Sequence, residues 1–309
     1  MTVLHRITEP GDHKLIEAIG TNRNEDIGVL IDVWGNDPVN IDMIEAHNCF
    51  IPVIKQGNAP VTINGSDLSE FGGDGFNITG SNLTWEVNKV HGNTPTRPYK
   101  TLTMHPGESV EACLARHEIQ VYDPSLLKVI TKPDGTRIIG GYHVDGGQCY
   151  ALPNLKNKVY ASKEQDILTN LIFKDLEIVM DGAISQGISF TERCRYDNIQ
   201  IGTKRLKILV DYYYSIIATN MFNFVLGNSK DVEVNKPVRL ENSRGDSFCR
   251  HLVGNGKIYI PGDHVIPKSN KVSILGKNKG KVVSDVAHDD DSFNRLAMSA
   301  LKDLTALGF

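Results

Sequence analysis

The densest group of metal-binding side chains in the sequence is His288-Asp289-Asp290-Asp291. Hard divalent cations take oxygen ligands, so a histidine and three carboxylates could hold one and activate water on it. Another carboxylate, Asp32, stands far upstream in the apolar run Val29-Leu-Ile-Asp-Val-Trp34. The competing reading is local. Aspartates just ahead of an apolar stripe of helical period cap a helix and complement its dipole, and Asp289, Asp290 and Asp291 are expected to act in that way. A different chemistry is open to Lys268, Lys271, Lys277, Lys279 and Lys281, a basic segment with no acidic residue between Val265 and Lys281. Such a segment can contact phosphates or an acidic partner, or can be a solvated hairpin whose lysines discourage edge pairing. Ser243-Arg-Gly-Asp246 is expected to be a turn, with glycine supplying the backbone freedom. No Gly-x-Ser-x-Gly elbow and no G-x-x-x-x-G-K-[ST] loop is present, so no catalytic residue is assigned and no cofactor is expected.

Two short patches resemble known families. Asp32 on an early strand together with His288 to Asp291 at the start of a late helix resembles the arrangement in RNase H-like nucleases, including large terminase nuclease domains. That resemblance implies a metal-dependent nuclease. Thr101-Leu-Thr-Met-His-Pro-Gly-Glu-Ser-Val110 looks like the first motif of cupins, and Gly146-Gly-Gln-Cys-Tyr-Ala-Leu-Pro153 is loosely similar to the second. A cupin would draw metal ligands from His105, His117, Glu118 and His143, although the paired His-x-His spacing is missing. The segment from Ser109 to Glu118 also reads as helical, which breaks the comparison.

The elements that would position these residues fall into two textures. Short apolar runs between Gly, Asn, Asp and Pro clusters read as strands: Gly28 to Trp34, Cys49 to Ile54 and Leu83 to Val87. Pro133-Asp-Gly135 signals a hairpin turn, Asp37-Pro38 a short helix to His47, and the glycines of Ser66 to Gly80 a long surface loop. Further on, Ser162-Lys-Glu-Gln165 matches a capping box, with Ile167, Leu168, Leu171, Ile172, Leu176 and Val179 at helical spacing after it. A second, more buried helix is expected from Thr203 towards Gly227. A third, Ser292 to Leu307, carries an apolar stripe that includes Leu301 and should dock on the body or a neighbouring subunit. The expected fold is therefore α+β, β-rich with two central helices and one C-terminal helix. It divides near Lys158 into a β-rich half (1–158) and a mixed half (159–309), and no internal repeat is apparent.

Composition narrows the class. Of the 309 residues, 40% are hydrophobic and 23% charged, a globular mixture able to build a core. A net charge of −4 gives no global case for nucleic acid or membrane. The five widely spaced cysteines contain no CxxC pair and read as reduced thiols of a reducing compartment. The first residues lack the apolar run of a signal peptide. Leu206 to Leu226 is apolar but contains Lys207, Asp211, Asn220 and Asn223, which argues against a membrane span. In texture the whole chain resembles virion structural proteins of large tailed bacteriophages. That resemblance implies a capsid, neck or tail component, located in the virion or cytoplasm, whose partners are copies of itself and other structural proteins. An anionic partner could bind the basic segment. A metal-dependent enzyme is the alternative.

Overall fold

Apolar side chains at alternate positions dominate the described strands. In Val39-Asn-Ile-Asp42, Val39 and Ile41 are buried while Asn40 and Asp42 face outward, the period of two expected of a strand with one face on a core. The computed structural model describes residues 2–93, 95–142, 144–150, 167–181, 185–191, 195–210, 214–219, 221–226, 232–236, 238–241, 251–253 and 273–275.

In chain order, the first four circuits are β1 (Val3–Ile7) with β2 (Gly11–Ile19), β3 (Ile27–Asp32) with β4 (Val39–His47), β5 (Ile51–Gln56) with β6 (Val61–Ile63) and β7 (Ser66–Ser69), and β8 (Phe76–Ile78) with β9 (Leu83–Gly92). An inserted unit then supplies β10 (Leu102–Thr103), α1 (Val110–Arg116), β11 (Val129–Thr131) and β12 (Arg137–Ile139). The circuits resume with β13 (Val144–Cys149), β14 (Ile167–Met180), β15 (Ser185–Phe190), β16 (Arg195–Val210), β17 (Ile216–Thr219), β18 (Met221–Leu226), β19 (Val232–Val234), β20 (Val238–Glu241), β21 (His251–Val253) and β22 (Ser273–Leu275).

Two parallel sheets result. One runs β1-β3-β5-β8-β13-β15-β17-β20, the other β2-β4-β6-β9-β14-β16-β18-β21-β22, with β7 beside β4 and β9 and β19 beside β16. The chain alternates between the sheets and advances one strand per circuit, which is the architecture of a parallel β-solenoid. Val3 pairs with Ile27 and Ile27 with Ile51, an advance of 24 residues; Val39 pairs with Val61 and Val61 with Leu83, an advance of 22. Strands on either side of residue 158 pair directly, β9 with β14 and β13 with β15.

The inward faces of the two sheets meet in one hydrophobic core. Across it, Phe76 of the first sheet stacks on Phe173 of the second at 5.5 Å and lies 5.3 Å from Trp85. All three are fully buried. At one corner Asn82, Asn170 and Asn198 occupy successive circuits with φ of 61°, 57° and 54°. Asn170 Nδ2 donates to Asn82 Oδ1, and Asn198 Nδ2 to Asn170 Oδ1, both at 2.8 Å. Asparagine tolerates the left-handed region and its amide satisfies the layer below, so the three residues fix both the turn and the stacking. At another corner Gly57 has φ +81°, and a Cβ there would meet the Val33 carbonyl oxygen at 2.1 Å. Only glycine lets the circuits approach so closely.

Several expectations are corrected. The two central helices are strands: Ile167–Met180 is β14, and Thr203 to Gly227 contributes to β16, β17 and β18. In β14 the buried residues are Leu168, Leu171, Phe173, Leu176, Ile178 and Met180. The buried positions step by three across the left-handed Asn170 and again from Phe173 to Leu176, where two extra residues of β16 shift the register, Phe173 pairing with Ile201 and Asp175 with Arg205. Period two broken twice in this way yields steps of three and two that mimic helical spacing. The expected helix after Asp37-Pro38 is β4, where β-branched pairing with β2 and β6 overrides the cap signal. Ser66 to Gly80 is not a surface loop: it holds β7 and β8, and residues 71–80 are buried. Its glycines serve close packing, since a Cβ on Gly75 would meet Val90 Cγ1 at 2.3 Å. The repeat was hidden because it lies in strand register, not in recurring residues. The C-terminal helix, with Leu301, lies outside the described residues.

The first-half strands agree with the expected runs, and Pro133 to Gly135 does turn a hairpin, with Gly135 N donating to Lys132 O at 2.9 Å. The helix at Ser109 forms too, capped by the serine hydroxyl, which accepts from Ala112 N at 3.2 Å. No helix among the described residues is long and apolar enough to cross a membrane.

Candidate functional site

The inserted unit has its own small core, in which Leu102, Met104, Cys113, Leu114, Ile119 and Ile139 pack together. It is fastened to the solenoid by contacts at its base. Arg23 Nη2 donates to Asn93 Oδ1 and its guanidinium lies 4.5 Å from the Tyr122 ring centroid; Thr96 Oγ1 donates to Gly72 O at 3.0 Å. Where the chain re-enters the solenoid, Tyr142 packs edge-on against Phe50 at 5.2 Å.

Tyr142 also reaches a buried carboxyl pair. Its hydroxyl donates to Asp74 Oδ2 at 3.1 Å, and Asp145 N donates to Asp74 Oδ1 at 3.1 Å. With its amide turned to donate, Asn77 Nδ2 reaches Asp74 Oδ2 at 3.0 Å. Asp74 and Asp145 are each 1% exposed. Burial, then the neighbouring Asp145 charge, push the Asp74 carboxyl above its ordinary range against these three donors. The pair keeps a proton that an isolated carboxyl would lose. It stands in the core, where it ties the insertion's return strand to the preceding circuit. Inside the same stack Lys55 donates to the carbonyls of Gly57, at 2.8 Å, and Ser81, and burial pushes its ammonium down to about 7.

Between the turn Asn22–Glu25 and the inserted unit lies a cleft of about 310 Å³. Leu126, Leu127, Ile130 and Ile139 form its apolar lining, and Asn22, Asn24, Glu25, Arg97 and Lys128 its polar lining. Asp26 shapes the turn, its Oδ2 accepting from the backbone N–H of Thr21 and Asn22, both at 2.8 Å. The Arg97 guanidinium lies 5.1 Å from the Phe50 ring centroid and donates to Asn24 O at 3.4 Å. Lys128 is paired with Glu25 at 3.5 Å. It is concave, partly apolar and lined by a few polar groups, the features of a small-ligand site.

The outward face of the second sheet carries a dense ion network. Arg205 pairs with Asp175 at 2.8 Å and Glu177 at 2.7 Å, His91 Nε2 lies 3.0 Å from Glu177 Oε1, and Lys174 and Lys204 share Glu86. Burial opposes the charge on Glu177, but hydrogen bonds from His91 and Arg205 outweigh it and hold that carboxyl below its ordinary value. On the same face His47 Nδ1 lies 2.7 Å from Ser69 Oγ, with His91 next in register. A serine beside a histidine is the first requirement of nucleophilic catalysis. None of the three lines the cleft.

The residues singled out in the sequence are not brought together. Asp32 accepts from Trp34 Nε1 at 2.9 Å and faces Arg6 at 4.0 Å. His105 offers its backbone N–H to Glu108 Oε2 at 2.8 Å, and His117 meets Arg116 at 3.0 Å. His105 and Glu118 flank α1 of the inserted unit, while Gly146 to Cys149 belong to β13 of a parallel sheet. This differs from the antiparallel jelly roll that a cupin would form. His143, His288 to Asp291, the Ser243–Asp246 turn and Lys268, Lys271, Lys277, Lys279 and Lys281 lie outside the described residues. Among the described residues no group of three His, Cys, Asp or Glu side chains is placed to hold a metal. Cys49, Cys113 and Cys149 are buried, and none of them is in a disulfide among the described residues.

No family model, no curated protein and no solved structure matches the chain.

Proposed function

We propose that the chain is a structural assembly protein that works through contacts with copies of itself. The observation that supports this reading best is the edge of the first circuit. Among the described residues β1 and β2 pair on one side only, and Leu15 and Ile19 of β2 are 56% and 60% exposed. An open strand edge presents unpaired N–H and C=O groups, a template on which another chain can add a strand. Covering the exposed half of each of these side chains is worth about 1 kcal/mol, in addition to the main-chain bonds. Lys14 and Glu17 on the same strand give such an added strand a charge register.

The resemblance of the sequence to virion proteins of tailed phages supports a particle as the setting, with other structural proteins as further partners. Sedimentation velocity of the full chain over a hundredfold concentration range tests the reading. Association by mass action is expected, and it should be lost in Leu15→Lys/Ile19→Lys while the circular dichroism and Tm stay unchanged. A monomer at every concentration, with no copurifying partner, contradicts it.

A further inference from the structure

The cleft at the base of the inserted unit is independent of the strand edge, and its chemistry is specific. Three observations define what it can hold. First, the Arg97 guanidinium lies over the Phe50 ring, 5.1 Å from its centroid, and its one hydrogen bond among the described residues, to Asn24 O, is long at 3.4 Å. Among the described residues no carboxylate lies within ion-pair distance of it, whereas Lys128, the other cation of the cleft, has Glu25 3.5 Å away at the exposed rim. A fork of N–H donors with no anion matches a carboxylate, which it can take bidentately. Second, Asn24 Oδ1 is buried with no hydrogen-bond partner among the described residues. A buried acceptor left unmade costs free energy, and a ligand O–H or N–H would recover it. Third, part of the lining is apolar, with Leu126 and Ile130 46% and 51% exposed. Exposed apolar side chains in a cleft with polar groups suit a ligand with one hydrophobic flank.

We propose that this cleft binds a small organic carboxylate that carries a hydroxyl or amino donor and an apolar flank. The carboxylate sits on Arg97, the donor on Asn24 Oδ1, and the flank against Leu126 and Ile130. A volume of about 310 Å³ has room for a single branched hydroxy acid or amino acid. The unit that closes the cleft is an insertion in an otherwise regular solenoid, and insertions of repeat proteins gather on the binding face.

Isothermal titration of the full chain with 2-hydroxy-4-methylpentanoate tests the assignment. Saturable binding is expected. Loss of the hydroxyl (4-methylpentanoate), of the flank (glycolate) or of the charge (2-hydroxy-4-methylpentanamide) should each weaken it tenfold or more. Arg97→Gln should do the same for the acid. Because Arg97 also packs on Phe50, Ile130→Glu serves as a second variant: it lies on an exposed position, leaves the fold intact and sets a like charge against the ligand. Asn24→Ala should remove the preference for the hydroxy acid over 4-methylpentanoate. No saturable binding of the acid at millimolar concentration overturns the proposal. So does binding of acid and amide with equal affinity, or binding unaffected by Ile130→Glu in a folded protein.

Discussion

Phe173→Ala separates the strand from the helix at β14. Phe173 is fully buried, stacked on Phe76 at 5.5 Å across the solenoid interior and on its register partner Trp85 of the neighbouring strand at 6.1 Å. Truncating a buried phenylalanine costs about 3–5 kcal/mol, the lost transfer free energy plus a cavity that a stack of hydrogen-bonded circuits cannot collapse into. Two aromatic contacts, about 0.5–1.5 kcal/mol each beyond area, place the cost at the upper end. That is a large part of the stability of a typical domain. The neighbouring Ile172 faces outward and is half-buried, so Ile172→Ala should cost only about 1 kcal/mol. A helix of the spacing read from the sequence inverts the order, since Ile172 would sit in its stripe and Phe173 outside it. Urea unfolding followed by tryptophan fluorescence measures both as shifts in midpoint at unchanged slope. Equal costs, or a larger one for Ile172→Ala, would refute the register of β14.

Asp74 supplies a pH signature. Its carboxyl is raised in the folded state, so the native chain holds a proton that the unfolded chain has released, and stability falls as pH rises above the ordinary carboxylate range near about 4. Relative to Asp74→Asn, the wild type should lose stability between pH 5 and 8 in urea titrations; a constant difference would count against a shared proton. Lys55 has the opposite slope, because its ammonium is depressed to about 7 and the unfolded chain binds the proton more tightly above that value. Its contribution is greatest above about 10.4 and is lost as pH falls towards 7, so the wild type should gain on Lys55→Met between pH 7.5 and 10. Asn170→Ala combines left-handed strain of about 1–2 kcal/mol with two lost amide bonds, whereas Asn170→Gly loses only the bonds. Thermal unfolding should rank alanine below glycine, and the reverse order would remove the conformational role of the ladder.

Local structure was legible in the sequence wherever a local cause fixes it. The helix at Ser109 forms, Pro133-Asp-Gly135 turns the β11–β12 hairpin, and the run from Gly28 to Trp34 overlaps β3, because each depends on residues a few positions apart. The long strands were not legible. Asn170 and Asn198 interrupt β14 and β16 with left-handed residues, and the resulting spacing of buried leucines and isoleucines imitates a helix. The circuits were hidden for a related reason: they advance by 22 to 24 residues in the first half, then by 28 from Ile167 to Arg195, with insertions between. A usable signal did exist in the asparagines placed just ahead of apolar runs, Asn82-Leu, Asn170-Leu and Asn198-Ile, which stack in the fold. The cleft had none. Asn24, Arg97 and Lys128 come from segments far apart in sequence, and their meeting depends on where the insertion leaves and rejoins the stack. Asp74 and Asp145 meet for the same reason, since Gly75 N donates to Asp145 O at 2.9 Å only once β13 pairs with β8.

Stacked circuits rising from an open edge at β2 are most directly tested with a ruler along the second sheet. Glu17, Glu45, Asp67, Lys89, Glu177 and Lys207 are successive register partners on β2, β4, β7, β9, β14 and β16. Spin labels at Glu17 and Lys207, in protein diluted with unlabelled chain, measure five inter-strand steps. At about 4.8 Å per step the backbone separation is about 24 Å. Double electron–electron resonance should give a narrow distribution near that value, widened only by the label linkers. A mean beyond about 40 Å, or a broad distribution without a peak, would contradict the stacked solenoid, whose strand spacing allows no such separation.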